Sequence, residues 1–191
     1  MKIHGTTKGG ALSHKDYGVA LGGNGDVTAD NIEWDTPLKG ASQGGTPNKI
    51  TATSAGWTNT ENISTAPFST FPPDDTTAYY VGENDPDYPT TNYNQQIGFN
   101  DGTISGLNDT AFSWHLGYYS EVREGNNMRY QNTSPSASST YSITVTSDGT
   151  VSYQMDGSTV FTSSATITSS ENDVVWTSNN NGGVGWMRIP S

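Results

Sequence analysis

Two kinds of side chain in this 191-residue chain could do chemistry: aromatic rings with hydrogen-bonding neighbours, and carboxylates set in turns. Sugar rings stack their C–H faces on exposed aromatics, while Asn, Asp and Arg bind hydroxyls. Trp57, Tyr80, Trp114, Tyr119, Asn126 and Arg129 have that chemistry, as does Tyr118. The competing use is core volume. Only five Leu are present, so most of the ten Tyr and five Trp must fill the interior. On a strand, one ring of Tyr118–Tyr119 faces in and the other out, and Tyr119 is expected to be the more exposed. Glu121, Arg123, Glu124 and Arg129 read as solvated surface pairs rather than ligands. Calcium needs six to eight oxygens on flexible loops. Asp85 and Asp87, in Asn84-Asp85-Pro86-Asp87, are the first candidates, and Asn24, Asp26 and Asp30 the second. Neither set follows EF-hand spacing, and Asx-Pro loops are ordinarily plain turns. No cofactor is therefore expected, calcium being the one ion worth testing.

Other chemistries lack their residues. Without Cys there is no disulfide framework, thiolate nucleophile or thiolate zinc site. No G-x-S-x-G elbow occurs. Gly22-Gly23-Asn24-Gly25 opens no helical pattern and reads as loop glycine rather than a phosphate cradle. His4, His14 and His115 are scattered without ligand spacing, and His115 reads as a half-exposed strand residue. A retaining glycosidase needs two carboxylates flanking one bond. Glu121 and Glu124 stand three apart, so a strand would send them to opposite faces. Asn62, Asn108 and Asn132 lie in N-x-S/T sequons, which so Asn/Ser/Thr-rich a chain produces by chance.

Net charge is −11, from eight Lys and Arg against nineteen Asp and Glu. The cations do not cluster, which disfavours nucleic acid and anionic membrane surfaces as partners. No apolar stretch is long enough to span a bilayer, so no membrane insertion is expected. The N-terminal MKIHGTTKGG has no apolar core and does not read as a secretory signal.

The elements that must position these residues are strands. Thr, Ser, Gly and Asn number 27, 22, 22 and 17, so turn formers dominate and helix formers are scarce. Residues 1–48 are Gly-rich, with short strands expected near Tyr17–Leu21 and Asn31–Trp34; they read as an arm or edge segment. Residues 49–191 read as the sandwich domain. Ile50 and Ala52 alternate with Thr51 and Thr53. Ala78–Gly82 is a short aromatic strand, and Gln95 starts another that ends at Asn100-Asp101-Gly102. Phe112, Trp114, Leu116 and Tyr118 share one face, with Ser113, His115, Gly117 and Tyr119 on the other. Asn126–Gln131, Val174–Thr177 and Val184–Ile189 follow as strands. The clearest signal is a meander: Tyr141, Ile143 and Val145, a Ser147-Asp148-Gly149 turn, Val151, Tyr153 and Met155, an Asp156-Gly157 turn, then Thr159–Thr162. Ten to twelve short strands without an amphipathic helix imply a sandwich or barrel.

Within this, IGFND, FSWHLGYYSEVREGN and TYSITVTSDGTVSYQMDGSTVFTS, from Gln95 to Ser163, resemble the concanavalin A-like lectin/glucanase superfamily, with phage and adhesin-type members nearest in character. The resemblance covers about a third of the chain and is structural rather than catalytic. It implies an all-β, antiparallel two-sheet jelly-roll sandwich with ligands on the concave face or rim. The glucanases of that family carry E-x-D-x-x-E on one strand, and this chain has no such motif. Its lyases use Arg, Gln-x-His and Tyr clusters, and none is visible around His115.

These readings converge on a non-enzymatic virion structural or adhesion protein, such as a capsid decoration, spike or tail-fibre component of a phage or archaeal virus. It would be made in the host cytoplasm, displayed on the virion surface, and partnered by copies of itself or other virion proteins, with cell-surface glycan as a further partner. The absent export signal and Met1 favour this over the alternative, a secreted stand-alone lectin or carbohydrate-binding module. An unrecognised glycoside hydrolase or polysaccharide lyase is the third reading.

Overall fold

The computed structural model describes residues 32, 34–44, 49–82, 94–102, 110–136, 138–182 and 184–188. Tyr17–Leu21, Asn24, Asp26, Asp30, Asp85, Asp87 and Asn108 lie outside them. The strands are β1 Ala41–Gly44, β2 Lys49–Ala52, β3 Asn62–Ser64, β4 Thr77–Val81, β5 Gln95–Asn100, β6 Phe112–Leu116, β7 Ser120–Glu124, β8 Asn127–Asn132, β9 Tyr141–Val145, β10 Thr150–Met155, β11 Ser158–Thr166, β12 Asp173–Ser178, β13 Val184–Gly185 and β14 Met187–Arg188. The only helical pieces among the described residues are two short 3-10 turns, at Trp57–Asn59 and Ser169–Glu171.

Among the described residues all strand pairings are antiparallel. One sheet has the order β11-β10-β9-β4-β14, a second β3-β12-β5-β6-β7-β8, and a small third β1-β2-β13. The two large sheets pack face to face. Trp114 on β6 crosses between them, its Nε1 donating to the Ser142 carbonyl of β9 at 2.9 Å. Its ring meets Tyr141 and Tyr153 edge-on at centroid distances of 5.0 and 6.0 Å. The protein is thus an all-β antiparallel sandwich. Its core uses aromatics where aliphatics are few: Phe68, Phe71, Tyr79 and Phe99 form one ring cluster. Ile32 and Trp34 are buried in the same core.

The meander forms where its turns predict. Asp156 and Gly157 both take left-handed φ, 52° and 74°, as a two-residue hairpin of matching twist requires. The Asp156 carboxylate accepts the Thr140 amide and the Ser139 hydroxyl, which ties the turn to β9. The third strand is longer than expected. It runs from Ser158 to Thr166 because two register shifts let β11 keep following β10. The final strand is two: β13 pairs with β2 and β14 with β4, so the chain changes sheets at Trp186.

Gly185 lies flat against Trp176. A Cβ placed there would sit 2.0 Å from the indole Nε1. Gly185→Ala is expected to lower stability by about 1–3 kcal/mol through overpacking. Gly157→Ala meets no neighbour and should cost about 1 kcal/mol, for left-handed φ alone. Denaturant unfolding of the two variants checks the order.

Candidate functional site

Register in the six-stranded sheet sorts its side chains into two rows. Trp176, Ile97, Trp114, Val122 and Tyr130 stand opposite one another across β12, β5, β6, β7 and β8. They face the core. One position along each strand, Thr177, Gln96, His115, Glu121 and Gln131 form the matching row on the outward face. The adjacent outward positions are Ser113 and Arg123.

Glu121 is the hub of this outward row. Its Oε2 accepts from His115 Nδ1 at 3.0 Å and from Arg123 Nε at 2.8 Å, and its Oε1 accepts from Gln131 Nε2 at 2.7 Å. Gln96 Nε2 donates to Ser113 Oγ at 2.6 Å, and Ser113 Oγ donates to the Arg123 carbonyl at 3.2 Å. Burial alone would raise the Glu121 carboxyl, but donors from His115, Gln131 and Arg123, with the guanidinium charge, bring it below its ordinary value. Burial likewise lowers His115 below its usual 6.5, outweighing the carboxylate beside it. The Trp57 ring stands edge-on to the imidazole at 5.4 Å. The 3-10 turn that carries it is fixed by Thr177 Oγ1, which donates to the Trp57 carbonyl at 2.5 Å.

The sequence-selected residues do not assemble into one site. Trp57 borders the polar row. Trp114 is wholly buried and cannot stack a ligand: β6 places it on the core face with Phe112 and Leu116. Tyr80 is half-buried between the core residues Tyr79 and Val81, so it faces outward from the other sheet. Asn126 is exposed in the β7–β8 turn. Arg129 pairs with Glu124 at 3.1 Å. Tyr119 is 39% exposed but Tyr118 is 73% exposed, reversing the expected order. The reason is that β6 ends at Leu116. Residues 117–119 form the bend into β7, where strand alternation no longer applies, and the two rings pack edge-on to each other.

Two further expectations need correction. Glu121 and Glu124 are paired with arginines as expected, yet both carboxylates are buried rather than solvated, with side chains 7% and 8% exposed. They do lie on opposite faces, Glu124 standing beside the Tyr153 hydroxyl in the core. The Arg, Gln and His cluster absent from the local sequence is present in space. Arg123, Gln131 and His115 arrive from three strands, though the ring against the imidazole is Trp57 rather than a tyrosine. Asn62 is buried, donating to the Lys39 and Thr60 carbonyls, so its sequon is closed in the folded protein. Among the described residues no group of three His, Asp or Glu is arranged to hold a metal ion.

Comparison with known proteins gives shape only. No protein family's sequence profile matches, and no curated protein matches. Among solved structures, the binding domain of botulinum neurotoxin DC, in complex with rat synaptotagmin II, is 9% identical with a TM-score of 0.42, over 85% of this chain and 46% of that one. The globular domain of T. cruzi calreticulin is 8% identical with a TM-score of 0.43, over 85% and 81%. The carbohydrate-binding module CBM66 from Bacillus subtilis is 10% identical with a TM-score of 0.33, over 86% and 96%. The chain thus spans under half the length of the toxin domain. Scores this low leave the functional reading to the chain's own residues.

Both titrating groups in the row are lowered in the fold, so the unfolded chain takes up protons first and acid must destabilise. Stability is expected to fall as pH drops below 6.5 through His115, and again below 4.5 through Glu121. His115→Gln should remove the upper step and Glu121→Gln the lower. Glu121→Gln should also cost about 3 kcal/mol at neutral pH by leaving Arg123 uncompensated. Unfolding free energies measured across this range test both.

Proposed function

We propose that this is a binding protein whose ligand, a glycan, lies on the outward face of the six-stranded sheet. The observation that carries this reading is the cross-strand polar row bordered by Trp57. A sugar needs fixed donors and acceptors beside an aromatic surface, and this face holds His115, Arg123 and Gln131 rigid through one buried carboxylate. Rigid polar groups keep specificity because little ordering remains to be done on binding. The half-buried Trp57 gives the apolar wall, and Tyr118 and Tyr119 add exposed rings in the β6–β7 bend. A binding role also suits a carboxylate already engaged by three partners, which leaves it poorly placed to move protons.

A virus-particle surface remains the proposed setting. The acidic, Cys-free, Thr/Ser-rich composition supports it, as does Met128, a large apolar side chain exposed where a neighbouring subunit could cover it. Particle-sized assembly, or matching density on a virion, is the expected observation. A strict monomer at high concentration would count against it.

For the glycan reading, the intact protein is screened on a glycan array and binding is then measured in solution. Trp57→Ala is expected to weaken binding about tenfold or more, as loss of a buried aromatic contact does. Tyr80→Ala, on the other sheet, should leave it unchanged. No binding across a broad array, or binding indifferent to Trp57, sinks the assignment.

A further inference from the structure

Two atoms on this face lack partners among the described residues, Gln96 Oε1 and His115 Nε2, and both are closed from solvent. Gln96 is 1% exposed, and it stands directly opposite His115 in the β5–β6 register. Their hydrogen-bonding character follows from their neighbours. The Ser113 hydroxyl has one proton, which goes to the Arg123 carbonyl. Gln96 must therefore donate its amide nitrogen to Ser113, and its oxygen faces the other way as a bare acceptor. An ionised Glu121 offers only acceptors, so the imidazole nitrogen against it carries the proton. In neutral His115 the remaining nitrogen, Nε2, is then a lone-pair acceptor. Two acceptors cannot satisfy each other, and a buried acceptor left unmet is costly.

We propose that these two atoms form a subsite for a vicinal diol of a neutral sugar, one hydroxyl donating to Gln96 Oε1 and its neighbour to His115 Nε2. This rests on the glycan reading of the same face and narrows it. A ligand carboxylate brings no proton and fails both atoms, which excludes acidic groups from this subsite. An ammonium could donate, but Glu121 is already balanced by Arg123 at 2.8 Å, so no free negative charge awaits it. Adjacent hydroxyls bring two donors without charge. Trp57 packs edge-on against the imidazole and forms the apolar border of this subsite.

The test removes donors from the ligand and needs no variant to fold. Methyl glucoside, mannoside and galactoside are titrated into the full-length protein, followed by the monodeoxy and monodeoxyfluoro derivatives of whichever binds. Fluorine keeps the bulk of the hydroxyl but cannot donate. Two neighbouring ring positions should each lose about tenfold to a hundredfold in affinity in both derivative series. The matching 2-amino-2-deoxy sugar, protonated, should bind no better than its parent. In the free protein, the imidazole nitrogen shifts of His115 should report the Nδ1-protonated tautomer. Fluoro derivatives that bind like the parent at every position, tighter binding of the amino sugar, or an Nε2-protonated His115 overturns the diol subsite. If Trp57→Ala still abolishes binding in that case, the glycan reading survives. If no glycoside binds, both fall.

Discussion

The two-residue pleat of the six-stranded sheet is the constraint on which everything else depends. It puts Trp176, Ile97, Trp114, Val122 and Tyr130 on one side and Thr177, Gln96, His115, Glu121 and Gln131 on the other. The core and the polar face are two readings of one register. A slip of one residue would exchange them, exposing the indoles and burying the ion pair against rings. The large apolar side chains therefore do more than fill volume. By making the wrong register expensive, they hold the polar row in line, and the row needs no loop to position it.

The polar row has a cost of its own. Glu121 and Arg123 are both withdrawn from water, and a buried ion pair seldom stabilises a fold more than apolar packing would. What it secures here is geometry. One carboxylate sets the tautomer of His115, the orientation of Gln131 and the direction of Arg123. Such networks act as units, because each bond polarises the next in a medium of low dielectric.

Much of the sandwich was legible in the sequence. The Asp156-Gly157 turn and the alternation from Tyr141 to Val145 follow local rules that tertiary packing left in place. Trp57 was legible as a candidate because its chemistry is intrinsic to its side chain. The row it borders was not, because its members come from five strands and only pairing brings them together. A partial signal existed: His115, Glu121, Arg123 and Gln131 all occupy the polar phase of successive strands. Trp114 was misassigned by giving weight to its type over its phase, since Phe112 and Leu116 already marked that phase as the core. Tyr118 was misassigned the other way, by carrying alternation past the end of β6. Burial of both faces also escaped the pattern: Ser142 and Thr144 are buried along with Ile143 between them, and alternation cannot report that.

Strand β12 lies between β3 and β5 yet follows both in the chain. Thr60 and Thr177, which meet beside it, are 117 positions apart. During synthesis β3 and β5 each wait with an open edge until β12 emerges. Contacts of such long range close slowly, and an open edge is free to pair with another chain in the meantime. Because Thr177 belongs to β12, the polar row is also incomplete until then. Assembly of the binding face and sealing of the central sheet are thus one late event, and chains interrupted before Asp173 would be prone to associate rather than to bind weakly.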